Sequence, residues 1–243
     1  MQDRYAGDIG DYGKFALLRA MEKQGLTVGV NWYLTQTLPS EIQDDGKYSP
    51  EKYEKLDPEL SAPLIKIFDL REARSVQALE QAHLLASDLF VNEAVPRETD
   101  RREAWHRAAL AKLKDCDIVF LDPDNGLNVK SVKPGSQKSP KYVWLYEVAD
   151  YVSAGKSVIF YNHRPRKKAE VYFAEYAARF AACPVLCEQQ FRVVTFPRCS
   201  IRDYFIIPAS QTHEERICKA VNNLLEGPFG RNGRKGFCFL AFS

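Results

Sequence analysis

The sequence predicts an α/β fold in which helices cover both faces of a mostly parallel sheet. Short apolar segments alternate with amphipathic segments along most of the chain, as expected for strands that alternate with helices. Residues 118–121 (Ile-Val-Phe-Leu) include no polar side chain, which is typical of a strand buried on both faces. Two apolar segments, 186–197 and 203–208, are joined by a short turn and are therefore expected to pair antiparallel.

The first half of the chain is predicted to contain three helices and one clear strand. The helices are expected at 11–24, 75–90 and 98–114, where apolar side chains recur at helical spacing. The strand is expected at 28–34, and residues 65–68 fit either a short strand or a helix start.

A polar, proline-marked stretch separates the first strand from the second predicted helix. It covers about 36–63 and includes a turn at 44–47. We interpret it as a small insertion that leaves the sheet, within a single domain that spans 1–243.

The second half alternates more regularly. The predicted elements are, in order, a strand (117–121), a loop (131–140), a helix (141–153), a strand (157–161), a helix (167–182), two strands (186–197 and 203–208) and a closing helix (214–226).

Composition sets broad limits on function. The chain has 243 residues, of which 45% are hydrophobic, enough to bury one full core. Its net charge of +2 does not by itself demand a nucleic acid partner. We expect a cytoplasmic protein, since neither a signal peptide nor a run of about 20 apolar residues is present. The scattered cysteines are expected to be reduced, and Cys183 and Cys187 lack a second pair of zinc ligands at suitable spacing.

The strongest candidate site follows the strand 117–121, where Asp122-Pro123-Asp124-Asn125 begins. In open α/β sheets, ligands bind beyond the carboxyl ends of the strands. Carboxylates at this edge can hold a metal, accept a hydrogen bond from an amino group or act as a base. A purely structural alternative is a turn in which the carboxylates cap backbone amides.

A metal-dependent nuclease or phosphodiesterase is one alternative function. Asp122, Asp124 and Glu147 would then hold Mg²⁺ for phosphodiester hydrolysis. The acid-x-Lys sequence of restriction endonucleases does not follow on the next strand.

A second polar segment follows the strand 157–161, at the same predicted edge of the sheet. His163 is a candidate general base or substrate contact, with an ordinary surface histidine as the alternative. The densest basic cluster comes next and is a candidate contact for RNA or DNA phosphates, although it also fits a solvated helix start. Its members are Arg164, Arg166, Lys167 and Lys168, and Lys138 and Lys141 are further candidates for the same phosphate-binding rim. A separate, weaker candidate contact for RNA or DNA consists of Arg231, Arg234 and Lys235.

Residues 5–14 read Tyr-Ala-Gly-Asp-Ile-Gly-Asp-Tyr-Gly-Lys. This segment resembles the His-Ala-Gly-Asn-x-x-Asp-x-x-Lys opening of the J-type large-subunit ribosomal RNA adenine-N6 methyltransferases. The positions that match that opening are Ala6, Gly7, Asp11 and Lys14. The segment 122–125 falls where those enzymes carry Asp-Pro-Pro-Tyr. Here Asp124 replaces the second proline, and Asn125 replaces the aromatic residue that stacks on the flipped base.

The resemblance implies a Rossmann-like methyltransferase sheet with S-adenosylmethionine over the carboxyl ends of its strands. Asp122 and the Pro123 carbonyl would accept hydrogen bonds from the target amino group and favour its rehybridised geometry. The residues that would line the cofactor pocket are Tyr5, Gly7, Asp8 and Lys14, with Asp45 and Gly46 as part of a glycine turn. A capped helix start is the structural alternative for residues 5–14. A third function class is a degenerate member that binds nucleic acid or a partner without catalysis.

Overall fold

The structure, a computed structural model, describes residues 1–35, 48–230 and, for the backbone alone, 240–242. The predicted cofactor residues Asp45 and Gly46 and the basic residues Arg231, Arg234 and Lys235 lie outside this range. The strands of the main sheet are β1 (Val28–Asn31), β2 (Phe90–Val91), β3 (Ile118–Leu121), β6 (Ser157–His163), β7 (Arg192–Arg198), β8 (Ser200–Ile207) and β9 (Leu240–Phe242). A small second sheet consists of β4 (Gly126–Leu127) and β5 (Tyr142–Val143).

The main sheet has the strand order β2-β1-β3-β6-β8-β7-β9. The strands β2, β1, β3 and β6 are parallel, and the pairs β6–β8, β8–β7 and β7–β9 are antiparallel. The predicted α/β class, the mostly parallel sheet and the antiparallel pairing of the two strands after α6 are thus confirmed, and the sheet is compatible with a Rossmann-like fold.

Helices cover both faces of the sheet, as predicted. They are α1 (Ile9–Glu22), α2 (Pro58–Asp69), α3 (Val76–Gln81), α4 (Thr99–Lys112), α5 (Leu145–Ser153), α6 (Ala169–Ala181) and α7 (Gln211–Glu226). One core cluster lies between the sheet and α1, α2, α3 and α7, and the other lies between the sheet and α4, α5 and α6. Along β3, Ile118 and Phe120 belong to the first cluster, while Val119 and Leu121 belong to the second. This two-sided burial explains why the strand has no polar alternation.

Helix α1 is fixed at its N-terminus by a cap and along its length by close packing. The Asp8 side chain accepts hydrogen bonds from the backbone N–H groups of Gly10 (2.7 Å) and Asp11 (3.1 Å), which stabilises the first turn. A Cβ atom on Gly13 would lie 2.6 Å from the Phe196 ring, so the helix approaches β7 more closely than alanine permits. This approach places the Lys14 side chain above the carboxyl end of β3.

The strand order reverses between β1 and β3, because the chain leaves β1 for β2 on one side and continues with β3 on the other. Crevices at such reversal points are the usual ligand sites of open α/β sheets. The strand predicted at 28–34 ends earlier, at Asn31. Tyr33 adopts a positive φ of 46°, which turns the chain out of the sheet at this crevice.

Several predicted boundaries were wrong. The helix predicted over 75–90 stops at Gln81, His83 has a positive φ of 47°, and Phe90–Val91 forms the edge strand β2. Two residues are too few to give a periodic signal. Residues 65–68 belong to α2 and not to a strand.

Later in the chain, residues 142–143 pair with β4, so the helix predicted from 141 begins at Leu145. The short turn predicted between 186–197 and 203–208 is reduced to Cys199, whose positive φ of 58° joins β7 to β8. Among the described residues, no helix has the length and apolar character needed to cross a membrane.

Candidate functional site at the carboxyl ends of β1, β3 and β6

Lys14 lies at the centre of a buried polar cluster. Its Nζ atom donates to Asp11 Oδ1 and to Asp122 Oδ2, each at 2.6 Å. It also lies 5.2 Å from the centre of the Trp32 ring, within cation–π range. Burial on its own would lower the pKa of Lys14, but the two carboxylates raise it above its ordinary value, so the ammonium stays charged.

Asp11 is the most strongly perturbed carboxyl group in the cluster. Its other oxygen, Oδ2, accepts a hydrogen bond from the Gly7 backbone at 2.9 Å. Burial raises the pKa of Asp11 to about 6, although the adjacent Lys14 partly opposes this shift. Asp11 therefore titrates close to the physiological range, unlike an ordinary carboxyl group.

Asp124 lies on the other side of the crevice and is held by three donors. Its Oδ2 accepts hydrogen bonds from Gln2 Nε2 (2.6 Å) and Thr35 Oγ1 (3.0 Å), and its Oδ1 lies 3.0 Å from the Met1 amino group. Burial opposes ionisation, but the ammonium and the two hydrogen bonds outweigh it and lower the pKa of Asp124. Asp124 is therefore an ionised acceptor.

Three oxygens surround the amino nitrogen of Met1. They are the carbonyl oxygen of Asp122 (2.7 Å), Asp124 Oδ1 (3.0 Å) and the carbonyl oxygen of Tyr33 (3.2 Å). Tyr33 follows β1 and Asp124 follows β3, so the crevice between these neighbouring strands is rich in acceptors for N–H groups. Met1 and Gln2 are buried there.

The other residues of the N-terminal motif have structural contacts. Gly7 has a φ of +81°, and a Cβ atom there would lie 2.6 Å from Leu64 O and from Phe68 N, so Gly7 packs tightly against α2. Asp8 caps α1, as the structural alternative proposed. Tyr5 accepts a hydrogen bond from Arg4 at 2.7 Å. Of the predicted cofactor residues that the structure describes, Lys14 is the one whose side chain bonds to Asp122.

Glu147 is bound by partners other than those of Asp122 and Asp124. Arg102 binds both of its oxygens, at 2.7 and 2.9 Å, and Tyr33 Oη and the Trp144 backbone N–H donate to Oε2. In the described part of the chain, no group of three His, Cys, Asp or Glu side chains is arranged to hold a metal. The predicted Mg²⁺ set of Asp122, Asp124 and Glu147 is not assembled, because each member is paired with a different cation.

His163 is the last residue of β6, and its side chain is exposed at the rim of the same sheet edge. Burial of part of the ring and the nearby Arg202 lower the pKa of His163 below its ordinary value, so it is neutral at physiological pH. Its Nδ1 lies 3.5 Å from the Tyr161 hydroxyl. Because its side chain is exposed at the rim, His163 is accessible for the substrate contact that the sequence predicts.

The basic cluster divides into one internal and three external side chains. Arg164 donates to both oxygens of the buried Asp203 (2.6 and 2.8 Å) and to Thr195 Oγ1, so it stabilises β8 against β7 and does not belong to an open rim. Arg166, Lys167 and Lys168 are exposed, and Lys167 also pairs with Glu175 at 2.7 Å.

Sequence reasoning missed several neighbours of the cluster. Gln2 and Thr35 bind Asp124, Tyr161 follows beside Asp122 on β6, and Tyr204 pairs with Tyr161 on β8. Burial opposes the charge of Arg202, but Asp8 raises the pKa of this arginine and compensates. The sequence did contain a signal for these residues. In each of two strands an aromatic residue lies two positions from a basic one: Tyr161 with His163, and Tyr204 with Arg202.

No protein-family model matches this chain, and no curated protein sequence matches it.

Proposed function

We propose that the protein is an S-adenosylmethionine-dependent methyltransferase that acts on an amino nitrogen of a nucleic acid, with Asp122 orienting the acceptor. One observation carries this proposal. Lys14 of the N-terminal motif and Asp122 of the second motif are 108 positions apart, yet their side chains meet at 2.6 Å. They meet at the reversal point of the sheet, where an α/β fold binds its ligand. A shared pocket is what the resemblance implies for both motifs.

The crevice suits the charge and the donors of this cofactor. Asp11, Asp122 and Asp124 provide three carboxylates against the ammonium groups of Lys14 and Met1. A sulfonium cation with an amino group is complementary to such an excess of acceptors. The residues after β1 are Trp32 and Tyr33, without a glycine-rich turn, and Met1 and Gln2 would have to move aside for a ligand. When bound, S-adenosylmethionine supplies an electrophilic methyl group.

The contribution of Asp122 follows from its two oxygens. Lys14 binds Oδ2 and orients the carboxylate, which leaves Oδ1 as the acceptor for a hydrogen of the target amino group. Such an acceptor pulls the nitrogen lone pair out of conjugation and makes it more nucleophilic in the transition state. The exposed Arg166 and Lys168 near the rim supply positive charge for nucleic acid phosphates.

Cofactor binding is the first test. We expect S-adenosylmethionine and S-adenosylhomocysteine to raise the melting temperature of the full chain, because they bind the native state. Isothermal titration calorimetry should give a matching binding isotherm, and methionine alone should give a weaker one. The absence of any response to both ligands would contradict the proposal.

Methyl transfer is the second test. Transfer of labelled methyl groups to RNA and to DNA should fall about 100-fold or more in Asp122→Asn, while cofactor binding changes little. Asp115→Asn, at an exposed turn before β3, is the matched control and should keep full activity. Unchanged transfer by the Asp122 variant would remove Asp122 from the mechanism.

A further inference from the structure

An aromatic side chain lies next to Asp122, on the neighbouring strand. Leu121 pairs with Phe160 in the parallel register of β3 and β6, so Asp122 and Tyr161 follow as lateral neighbours. Phe160 belongs to the core cluster below α5 and α6, whereas Tyr161 packs against the cluster below α1. Alternation along a strand therefore directs Tyr161 to the same face as Lys14 and Asp122.

Asn125, the position without an aromatic side chain, is hydrogen-bonded to the end of the same strand. The carbonyl oxygen of Asn125 accepts a hydrogen bond from the backbone N–H of His163 at 3.4 Å, and its own N–H donates to Lys141 O at 3.0 Å. Residue 125 is therefore held beside the end of β6, two residues beyond Tyr161.

Tyr161 has the properties of a stacking surface. Its side chain is only partly buried, and its hydroxyl lies 3.5 Å from the exposed His163, so this edge of the ring opens towards solvent. Burial and the nearby carboxylates Asp122 and Asp124 raise the pKa of Tyr161, although Arg202 opposes this, and the phenol stays neutral. A neutral ring beside an acceptor carboxylate can contact the face of a planar ligand whose amino group is bound by that carboxylate.

A second tyrosine in the same row has a polar atom in need of a partner. Tyr204 pairs with Tyr161 across the β6–β8 ladder, and the two ring centres are 6.4 Å apart. Tyr204 is fully buried, and its hydroxyl has no hydrogen-bond partner among the described residues. A buried hydroxyl without a hydrogen-bond partner is energetically costly. Burial raises the pKa of Tyr204, an effect that Arg202 and Lys14 oppose and Asp122 reinforces.

We propose that Tyr161 forms the platform on which the target base stacks, in place of the aromatic residue absent at 125. This inference rests on the proposed function and names the substrate class of that site: a nucleobase with an exocyclic amino group, adenine or cytosine in kind. Asp122 binds the amino group, Tyr161 contacts the face of the base, and His163 lies at its outer edge. Tyr161 is thus a binding residue for the acceptor and not for the methyl donor.

Free nucleosides test the platform directly. Saturation-transfer NMR with adenosine and cytidine should detect the base protons with the wild-type protein and with Tyr161→Phe, which keeps the ring. In Tyr161→Leu, affinity for the nucleoside should fall about 5- to 150-fold, the range expected for loss of one stacking contact. Ribose is the control ligand without a base and should show no dependence on residue 161. Equal nucleoside binding by the leucine and phenylalanine variants would overturn the inference.

A measurement on the wild-type protein covers the case in which the leucine variant does not fold. With ¹³C-labelled tyrosine rings, the resonance that is missing from Tyr161→Phe identifies Tyr161. That resonance should shift when adenosine or cytidine is added, and an unchanged resonance at saturating nucleoside would refute stacking.

Cofactor binding separates the two proposals. Tyr161→Leu should keep the S-adenosylmethionine-dependent rise in melting temperature seen with wild type. If wild type responds to the cofactor but binds no nucleoside, the platform is wrong and the methyltransferase proposal stands. If wild type binds nucleosides through Tyr161 without any cofactor response, the methyltransferase proposal fails and the base-binding site remains.

Discussion

At the scale of single residues, the site is defined by how its charges are paired. Lys14 bridges Asp11 and Asp122 within the core, and Asp124 is held by Gln2, Thr35 and the Met1 amino group. A buried carboxylate without such a partner is strongly disfavoured. These partners allow the two aspartates that follow β3, Asp122 and Asp124, to be buried.

Removal of the Lys14 charge should destabilise the protein severely. We expect Lys14→Met to lower the free energy of unfolding by about 3–5 kcal/mol, because Asp122 and Asp11 are left buried without a cation. Urea denaturation followed by circular dichroism measures this. Lys66→Met, at an exposed position of α2, is the control and should change stability by no more than about 0.5 kcal/mol. A similar small loss for Lys14→Met would show that the buried ion pair contributes little.

Asp11 should give stability a distinct dependence on pH. Its pKa is about 6 in the folded protein and 3.8 as the ordinary value, so between these the folded state holds the proton more tightly. The contribution of Asp11 to stability is therefore full below about pH 4 and is lost as the pH rises through 6. Asp11→Asn lacks this titration, and its free energy of unfolding should improve relative to wild type from pH 4 to 6. A pH-independent difference between Asp11→Asn and wild type would contradict the raised pKa.

At the scale of secondary structure elements, the site depends on how closely α1 lies on the sheet. The helix is capped by Asp8, and Gly7 and Gly13 remove side-chain bulk where α1 and its preceding turn meet α2 and β7. These contacts fix the height of Lys14 above β3. The N-terminal motif is in this sense a packing motif as well as a candidate ligand site.

Gly13 shows whether close packing outweighs helix propensity. Alanine at an exposed helix position is favoured over glycine by about 1 kcal/mol. At Gly13 the added Cβ would lie 2.6 Å from the fully buried Phe196 ring, so Gly13→Ala should instead destabilise the protein by about 1–3 kcal/mol. In a Phe196→Leu background the same substitution should cost much less, since the smaller side chain can give way. Equal costs in both backgrounds, measured by urea denaturation, would exclude the steric explanation.

The buried ion pair between Arg102 and Glu147 connects α4 to α5. Arg102→Met should lower the free energy of unfolding by about 3–5 kcal/mol, because Glu147 is fully buried and would lose its bidentate partner. Arg101→Met, exposed on the same helix, is the matched control and should be nearly neutral. If both variants lose the same small amount in thermal and urea melts, the pair does not stabilise the α4–α5 contact.

At the scale of the whole molecule, one sheet joins two core clusters. Trp32 lies in the cluster below α1, and Trp105 lies in the cluster below α4 and α5. Because β3, β6, β7 and β8 contribute side chains to both clusters, neither can open without exposing the strands of the other.

Unfolding should therefore be cooperative. The test uses two variants, Trp32→Phe and Trp105→Phe. For each variant, the urea midpoint measured by fluorescence should coincide with the midpoint measured by circular dichroism. Separate fluorescence and circular dichroism midpoints would indicate two independently unfolding parts and argue against the single domain predicted for 1–243.

Local pattern was enough to identify most elements. Helical periodicity located α1, α4, α6 and α7, and unbroken apolar runs located β3 and most of β6. The two-residue strands β2, β4 and β5 escaped because their pairing depends on distant segments and leaves no periodic pattern. Strand limits at Tyr33 and Cys199 depended on positive φ angles that the tertiary packing imposes.

The sequence by itself determined that the acidic segment 122–125 ends a buried strand at a ligand-binding edge, since strand burial and turn chemistry are local properties. The tertiary structure alone decided which groups neutralise those acids and which aromatic ring lies beside them. Lys14, Gln2 and Tyr161 come from the first helix, the N-terminal segment and the next strand. Their convergence follows from strand order and helix packing, which bring together residues that no local spacing relates.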